Sequence, residues 1–262
     1  MPKQKGFTLI ELSSVIMVVG VIVSAIVVGQ VMMTKSRLMS VLTEVSQYKG
    51  VINSFYNKYN GYPGDIINAS MLWCSATCPG SSNNIANCTT DVGTAGYCNG
   101  NGDGYIYWTG GVNNDESMRA WQHLYLANML PVKYTGIHAT AWDNIYNTNI
   151  PQSQVYPTAG YVFYHSGLFD PATIERNTLF FANFYTTTFS PVIAPPDAYA
   201  MDTKIDDGRP KTGNLRSQYS DDAAGLVGAG GAAGTSCAIG ASNVYNYSTS
   251  AAFCSLQFIF SN

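Results

Sequence analysis

Residues 12–34 form an apolar run that contains no charged side chain. As a helix, about 20 such residues, each rising about 1.5 Å, reach across the hydrocarbon core of a bilayer. A cleavable secretory signal has a shorter apolar core that ends in small residues such as Ala-x-Ala, and no such pattern closes this run. The sequence therefore predicts one membrane-spanning helix near the N-terminus.

An acidic residue, Glu11, lies directly before this run and follows the basic residues Lys3 and Lys5. A charge costs about 2.5 to 3.5 kcal/mol at the centre of a membrane helix and less near its end. Two interpretations of Glu11 are therefore open. Either it lies at the membrane interface, where water solvates it, or a positive group supplied within the membrane pairs with it.

The octapeptide KGFTLIEL, residues 5–12, carries a resemblance to a known family. It is similar to the prepilin signal of type IV pilins and of type II secretion pseudopilins, in which a membrane peptidase cuts after the glycine and methylates the next residue. By position, the resemblance implies cleavage after Gly6, methylation of Phe7 and an assembly role for Glu11. The amine created at Phe7 would then pair with Glu11 of a neighbouring subunit, so that each charge offsets the desolvation of the other.

The resemblance also implies a fold and a function. The expected fold class is α+β, a pilin fold in which a long N-terminal helix packs on a small antiparallel β-sheet with disulfide-stapled loops. The expected domains are a leader peptide at residues 1–6, a transmembrane and filament-core helix at 7–34, and a globular periplasmic or extracellular head at 35–262. The expected function is that of a structural subunit of a type IV pilus-like filament. The alternatives are a type II secretion pseudopilin and a minor or tip adhesin-like pilin with a binding head.

The expected partners are prepilin peptidase, copies of the chain itself, other pilins and an inner-membrane assembly platform. The expected location is the inner membrane, as a single-pass protein, before assembly, and a pilus or a periplasmic pseudopilus after it. Nucleic acid is not an expected partner, because the net charge is −3 and Lys and Arg are not clustered. No enzymatic activity is expected, because the histidines lie far apart in sequence and no GxSxG or HExxH motif frames them.

After the membrane run, apolar residues recur at steps of three and four. This spacing indicates an amphipathic helix with one buried face. The positions are 38, 41/42, 45, 48, 52, 55 and 59. The glycine and proline of NGYPGD, residues 60–65, predict that this helix ends near Asn60. A second helix is predicted over residues 114–130, capped by Asn114 or Asp115. Short antiparallel strands are predicted over residues 105–108, 160–165, 178–185, 198–203 and 254–260.

Six cysteines in Gly- and Asn-rich segments favour three disulfides formed in an oxidising compartment: Cys74, Cys78, Cys88, Cys98, Cys237 and Cys254. Proximity in sequence favours the pair Cys237–Cys254 and two bridges within residues 74–98, whose pairing stays open. The alternative is a zinc site in the cluster at 74–98. Its CxxxC spacing lacks the paired CxxC knuckles of common zinc folds and no histidine stands nearby, which favours disulfides.

The stretch NGNGDG, residues 99–104, has the alternating oxygen ligands and the glycine with which a calcium loop begins. Asn99, Asn101 and Asp103 are the candidate ligands, and Ca²⁺ is the possible cofactor. The twelfth position, where such a loop places a bidentate glutamate, is Gly110. The alternative is therefore a tight turn rich in Gly and Asn that holds no metal.

A second acidic turn, KIDDGRP, lies at residues 204–210. Its Asp206 or Asp207 is predicted to form an Asx turn, or an ion pair with Lys204 or Arg209. Both interpretations give this turn a structural role.

Overall fold

The structure, a computed structural model, describes residues 6, 8–73, 99–108, 115–138, 140, 143–165, 177–185, 188–218, 237–238, 243–251 and 253–260. Contacts divide the chain into two compact units, Met1–Val41 and Leu42–Asn262. The helices of the described residues are α1 (Leu9–Tyr59), α2 (Ala69–Trp73), α3 (Glu116–Leu126) and α4 (Pro195–Ile205). The strands are β1 (Gly160–His165), β2 (Asn177–Tyr185), β3 (Thr188–Ser190), β4 (Leu215–Gln218) and β5 (Ser255–Ile259).

The described part of the first unit is dominated by the N-terminal part of α1, which exposes its apolar side chains. Each large apolar side chain at residues 9–33 is at least 50% exposed. An 18-residue window of α1 has a mean hydropathy of 2.6, and within the described ranges α1 is the one helix long and apolar enough to cross a membrane. Water does not favour so large an apolar surface, so lipid or other protein chains are needed to cover it.

In the second unit, α1 has the buried face that the spacing of its apolar residues predicts. Ile52 and Phe55 are fully buried. The ring of Tyr48 lies edge-on to the rings of Trp121 and Tyr161, with centroid distances of 5.1 Å in both cases. Because Trp121 belongs to α3 and Tyr161 to β1, this part of α1 packs against both elements.

A buried carboxylate joins this part of α1 to the sheet. Glu44 is 8% exposed, and its Oε2 accepts a hydrogen bond of 2.6 Å from the hydroxyl of Tyr161. Its Oε1 accepts a hydrogen bond of 3.1 Å from the backbone N–H of Gln154. A buried carboxylate without such donors would be strongly destabilising, so these bonds fix where α1 lies on β1.

The ends of α1 and α3 follow signals in the sequence, with two differences. Helix α1 ends at Tyr59, and Asn60, at a φ of 55°, takes the left-handed conformation expected of a glycine. Asp115 caps α3 as predicted, with its side chain accepting from the backbone two residues on. Helix α3 ends at Leu126, earlier than predicted, because Asn128 is left-handed at a φ of 59° and cannot continue it.

Strands β1, β2, β5 and β4 form an antiparallel sheet in that order, and β3 pairs with the last residues of β2. Phe180 of β2 lies between Val162 of β1 and Gln257 of β5. Every residue of β1 is buried. The long helix on a small antiparallel sheet confirms the predicted α+β class, and the structure confirms the strands predicted at 160–165, 178–185 and 254–260.

The strand predicted at residues 198–203 is wrong, because these residues lie in α4. Two prolines begin α4, where a helix does not need their missing N–H groups. Ala198, Met201 and Asp202 are buried at helical spacing. A short alternation of small and larger residues predicted a strand, whereas prolines at the first turn and helix-forming Ala and Met favour the observed helix.

The strand predicted at residues 105–108 is also wrong. The backbone N–H of Ile106 donates to Asn177 Oδ1 over 2.8 Å, and that of Tyr107 donates to Glu116 Oε2 over 3.0 Å. Side chains therefore satisfy the backbone donors that a neighbouring strand would otherwise bind.

The predicted bridge Cys237–Cys254 is present, with a Cα–Cα distance of 5.0 Å. Cys254 directly precedes β5 and exchanges backbone hydrogen bonds with Ile193. The bridge thus joins the segment around Cys237 to the start of an inner strand of the sheet. The other four cysteines, at 74, 78, 88 and 98, lie outside the described residues, so their pairing stays a prediction.

Replacing both Cys237 and Cys254 by serine is expected to lower the free energy of unfolding of the segment from residue 35 onward by about 3 kcal/mol. The bridge closes a loop across 17 positions, and in the chain-entropy model loops of about this length give that stabilisation. Denaturant unfolding of variant and parent measures the difference. Ser250→Ala, an exposed change in the same loop, is the control and should shift it by no more than about 0.5 kcal/mol. A loss below about 1 kcal/mol in the double variant would contradict the expectation.

Candidate functional site

Of the residues assigned to processing and assembly, Gly6 and Glu11 belong to the described part of the chain, and Gly6 precedes α1. Gly6 is exposed and Phe7 lies outside the described residues. Glu11 lies in the first turn of α1, and it is the only acidic residue among residues 1–41 of the sequence. The structure therefore places this carboxylate at the beginning of the exposed apolar helix.

The Glu11 carboxylate is hydrogen-bonded within its own chain. The backbone N–H of Thr8 donates to Glu11 Oε2 over 2.8 Å, and the Thr8 hydroxyl donates to the same oxygen over 2.7 Å. The backbone N–H of Glu11 donates back to Thr8 Oγ1 over 3.3 Å. This reciprocal arrangement is a capping box, whose signature Ser/Thr-x-x-Glu stands in the sequence as TLIE. Sequence reasoning missed Thr8, although that signature could have identified it.

Several other hydroxyls of the apolar part of α1 bond to their own helix. Each donates to a backbone carbonyl three or four residues earlier, at distances from 2.8 to 3.2 Å: Ser13, Ser14, Ser24 and Thr34. Such bonds allow a hydroxyl to lie in an apolar environment without an outside partner.

A family model described as "Prokaryotic N-terminal methylation motif" matches residues 1–27. These residues are the prepilin-type signal of type IV pilins and pseudopilins, which implies processing by prepilin peptidase and assembly into filaments. Together with the apolar helix, the signal fits a precursor anchored in the inner membrane. Comparisons with curated proteins and with solved structures found no match.

The loop predicted to bind calcium wraps around two buried carboxylates. Asp65 accepts hydrogen bonds from three successive backbone N–H groups, those of residues 102–104, over 2.7, 3.2 and 2.9 Å. Glu116, the first residue of α3, accepts from the backbone of Asn101 over 3.3 Å and of Tyr107 over 3.0 Å. The loop thus directs its backbone donors toward protein carboxylates.

The oxygens of the three predicted calcium ligands also accept hydrogen bonds from the protein. Asn99 Oδ1 accepts from the backbone of Ser70 over 2.8 Å. Asn101 Oδ1 accepts from the backbone of Asp103, and Asp103 Oδ1 from that of Tyr105, both over 2.9 Å. These hydrogen bonds are those of side-chain-to-backbone turns, which suits the alternative of a tight turn rich in Gly and Asn. Calcium binding stays a prediction that these contacts do not support.

Burial shifts both carboxylates inside this loop toward protonation, Glu116 further than Asp65. Burial raises the pKa of Glu116 to about 8, and the nearby charges of Asp65 and Asp103 act in the same direction. Burial also raises the pKa of Asp65 to about 6, although the hydrogen bonds from the loop backbone oppose this change. In neutral solution, folding is therefore accompanied by proton binding at these carboxylates, mainly at Glu116.

A second group of carboxylates, Asp202, Asp206 and Asp207, has oxygens within 4.8 Å of one another at the end of α4. Asp207 Oδ1 accepts from the backbone N–H of Arg209 over 3.0 Å, which confirms the predicted Asx turn. Asp206 Oδ2 accepts from the backbone of Leu215 over 3.0 Å, at the first residue of β4. Burial raises the pKa of Asp202 to about 8, and its hydrogen bond with Asp206 adds to this. These bonds give the turn the structural role that the sequence predicted.

His138 and Asp115 form a fully buried pair, with His138 Nε2 at 3.0 Å from Asp115 Oδ2. The other ring nitrogen of His138 lies 2.8 Å from the carbonyl oxygen of Asp143. Burial opposes protonation, but the hydrogen bond and charge of Asp115 outweigh it and raise the pKa of His138. A protonated ring can donate to both acceptors, so this pair holds the cap of α3 against the segment around Asp143.

The other two histidines have different surroundings. His123 Nδ1 accepts from the backbone N–H of Gly64 over 2.9 Å, while the ring of His165 packs against Tyr105 and Tyr107 at centroid distances of 4.9 Å. His123 thus anchors the turn at Gly64 to α3, and His165 packs β1 against the segment at residues 105–107.

The free energy of unfolding of the segment from residue 35 onward is expected to fall by about 1 to 3 kcal/mol as the pH rises from about 5 to about 8. Glu116 and Asp65 keep protons in the native state that the unfolded chain has already released, so rising pH favours unfolding. His138, with its raised pKa, contributes in the same direction above about pH 6.5.

Urea unfolding at a series of pH values measures this dependence. In Glu116→Gln, which is neutral at every pH, the fall should be clearly smaller, because one of the bound protons is no longer involved. Stability that rises over this interval, or a fall that is unchanged in Glu116→Gln, would contradict the expectation.

Proposed function

We propose that the chain is a structural subunit of a type IV pilus-like filament, cut by prepilin peptidase after Gly6 and polymerised through its N-terminal helix. The observation that carries this proposal is the prepilin-type signal at residues 1–27, together with a helix that leaves its apolar surface at residues 9–33 exposed. Such a helix suits first a bilayer and then a bundle of identical helices, since both are apolar.

The proposed mechanism of assembly is the pairing of Glu11 with the amine at Phe7 of a neighbouring subunit. Transfer of the helix from lipid into a filament core exchanges one apolar setting for another, so the hydrophobic term is nearly unchanged. Packing and polar contacts must then select the arrangement. A subunit docked at the wrong rise would leave buried charges without partners, which costs several kcal/mol.

The proposed partners are prepilin peptidase, an inner-membrane assembly platform, other copies of the chain and other pilins. The chain is inserted once in the inner membrane before assembly, and it acts by assembly and not by catalysis. The same signal also serves pseudopilins of type II secretion, which form a periplasmic filament, so this is the nearest alternative function.

A second alternative is a minor or tip subunit whose head binds a ligand. The observation that favours it is an exposed aromatic surface: Tyr199 and Tyr247 are 38% and 51% exposed, with ring centroids 5.3 Å apart. Abundance separates these functions. A major pilus subunit dominates filaments sheared from the cell surface, a tip subunit is present there in traces, and a pseudopilin is absent from them.

Glu11→Ala is expected to leave cleavage and membrane insertion intact while lowering incorporation into filaments at least about tenfold, because a buried amine then lacks its acceptor. Quantitative mass spectrometry of filaments and membranes measures both. Ser24→Ala, whose hydroxyl bonds to its own helix, is the matched control and should incorporate normally. Normal incorporation of Glu11→Ala would refute the pairing mechanism.

Gly6→Ala is expected to block cleavage, because the peptidase of this family cuts after glycine. The full-length chain, with Met1 or the residue after it at its N-terminus, should then accumulate in the membrane and be missing from filaments. Polymerised material that still carries Lys3 and Lys5 would contradict the proposed processing.

A further inference from the structure

The capping box leaves the two oxygens of Glu11 in different situations. Both donors of Thr8, its backbone N–H and its hydroxyl, converge on Oε2 over 2.8 and 2.7 Å. No residue in the described part of the chain donates to Oε1. A carboxylate has room for about four hydrogen bonds over its two oxygens, so with respect to the described residues Oε1 can still accept from a further donor.

The box is compatible with processing of the chain. The donating N–H belongs to the peptide bond between Phe7 and Thr8, which lies after the predicted cleavage point at Gly6. Cleavage and methylation of the amine at Phe7 therefore remove neither member of the box. The same bonds are available in the membrane-resident precursor and in the mature subunit.

We propose that Thr8 is a positioning residue for assembly: it holds Glu11 Oε2 within its own helix and thereby presents Oε1 to the amine of a neighbouring subunit. This inference rests on the proposed assembly function. A glutamate side chain has several rotatable bonds, and fixing it on binding is unfavourable. Thr8 fixes it beforehand, so the incoming amine meets an acceptor that is already oriented. The hydroxyl is the necessary part, because every residue other than proline supplies the backbone N–H.

Three variants test this in cells. Thr8→Val keeps the shape and removes the hydroxyl, Thr8→Ser keeps the hydroxyl, and Ser13→Ala removes a nearby hydroxyl that bonds to the carbonyl of Ile10 and not to the Glu11 side chain. All three should be cut after Gly6. We expect incorporation of Thr8→Val into sheared filaments to fall about five- to tenfold, and that of Thr8→Ser and Ser13→Ala to stay within about twofold of the parent. Normal incorporation of Thr8→Val, or a loss with Thr8→Ser as large as with Thr8→Val, would overturn the proposal.

A second measurement does not depend on the peptidase or on filaments. In the full-length precursor in lipid bicelles, amide hydrogen exchange of Thr8 reports the bond to Glu11 Oε2. Glu11→Ala should speed this exchange at least about tenfold, whereas Ser13→Ala should leave it unchanged. Unchanged exchange in Glu11→Ala would show that the box is not formed and would overturn the proposal. If the parent chain is missing from every filament preparation, the assembly function fails, and the exchange result still decides whether Thr8 holds Glu11.

Discussion

The exposed apolar surface of α1 at residues 9–33 is the constraint on which the other features of the chain depend. Water disfavours this surface, so it needs to be covered by lipid or by other helices. The remainder of α1 satisfies the opposite requirement, since Ile52 and Phe55 are buried and Tyr48 packs against α3 and β1. One continuous helix thus serves as an apolar element in its first part and as a core element of the head in its last part.

Within the head, carboxylates take the place of backbone acceptors that secondary structure would otherwise supply. Asp65 and Glu116 accept the backbone donors of the loop at residues 99–107, and Asp206 accepts those at the start of β4. Glu44 links α1 to β1 through Tyr161. Buried backbone groups must find partners, and long irregular segments cannot supply them from a ladder or a helix. Only 11% of the residues are charged, and three of these acids, Asp65, Glu116 and Glu44, are buried, where each accepts hydrogen bonds that hold neighbouring segments in place.

The sequence predicted the parts of this fold that depend on local periodicity. Helix α1 and strand β1 were found because a long continuous apolar pattern strongly favours a helix and a short aromatic run strongly favours a strand. The alternation at residues 198–203 is too short to distinguish a strand from a helix, and the two prolines that begin α4 are the signal that favours the helix. The stretch at 105–108 has strand-like residues, but its partners are side chains of Asn177 and Glu116, which are distant in sequence.

The candidate sites show the same limit. Alternating Asn and Asp at positions 99, 101 and 103 suits both a calcium loop and a series of side-chain-to-backbone turns. The backbone N–H groups of this loop donate to Asp65 and Glu116, and neither residue belongs to the motif. The capping box, by contrast, is wholly local, since Thr8 and Glu11 lie three positions apart in one turn. The charge of Glu11 by itself suggests a partner on another chain, whereas the Ser/Thr-x-x-Glu signature identifies donors three residues earlier in the same chain.

This internal donor changes how register is selected in the proposed filament. Because Thr8 supplies two hydrogen bonds to Glu11, the carboxylate is partly satisfied in lipid and in any register of the helix bundle. The amine created by cleavage has no comparable second partner, because Glu11 is the only acidic residue before residue 42. An error in register therefore penalises the amine more than the carboxylate. In the proposed mechanism, a register is therefore selected by whether the amine of one subunit reaches Glu11 Oε1 of its neighbour.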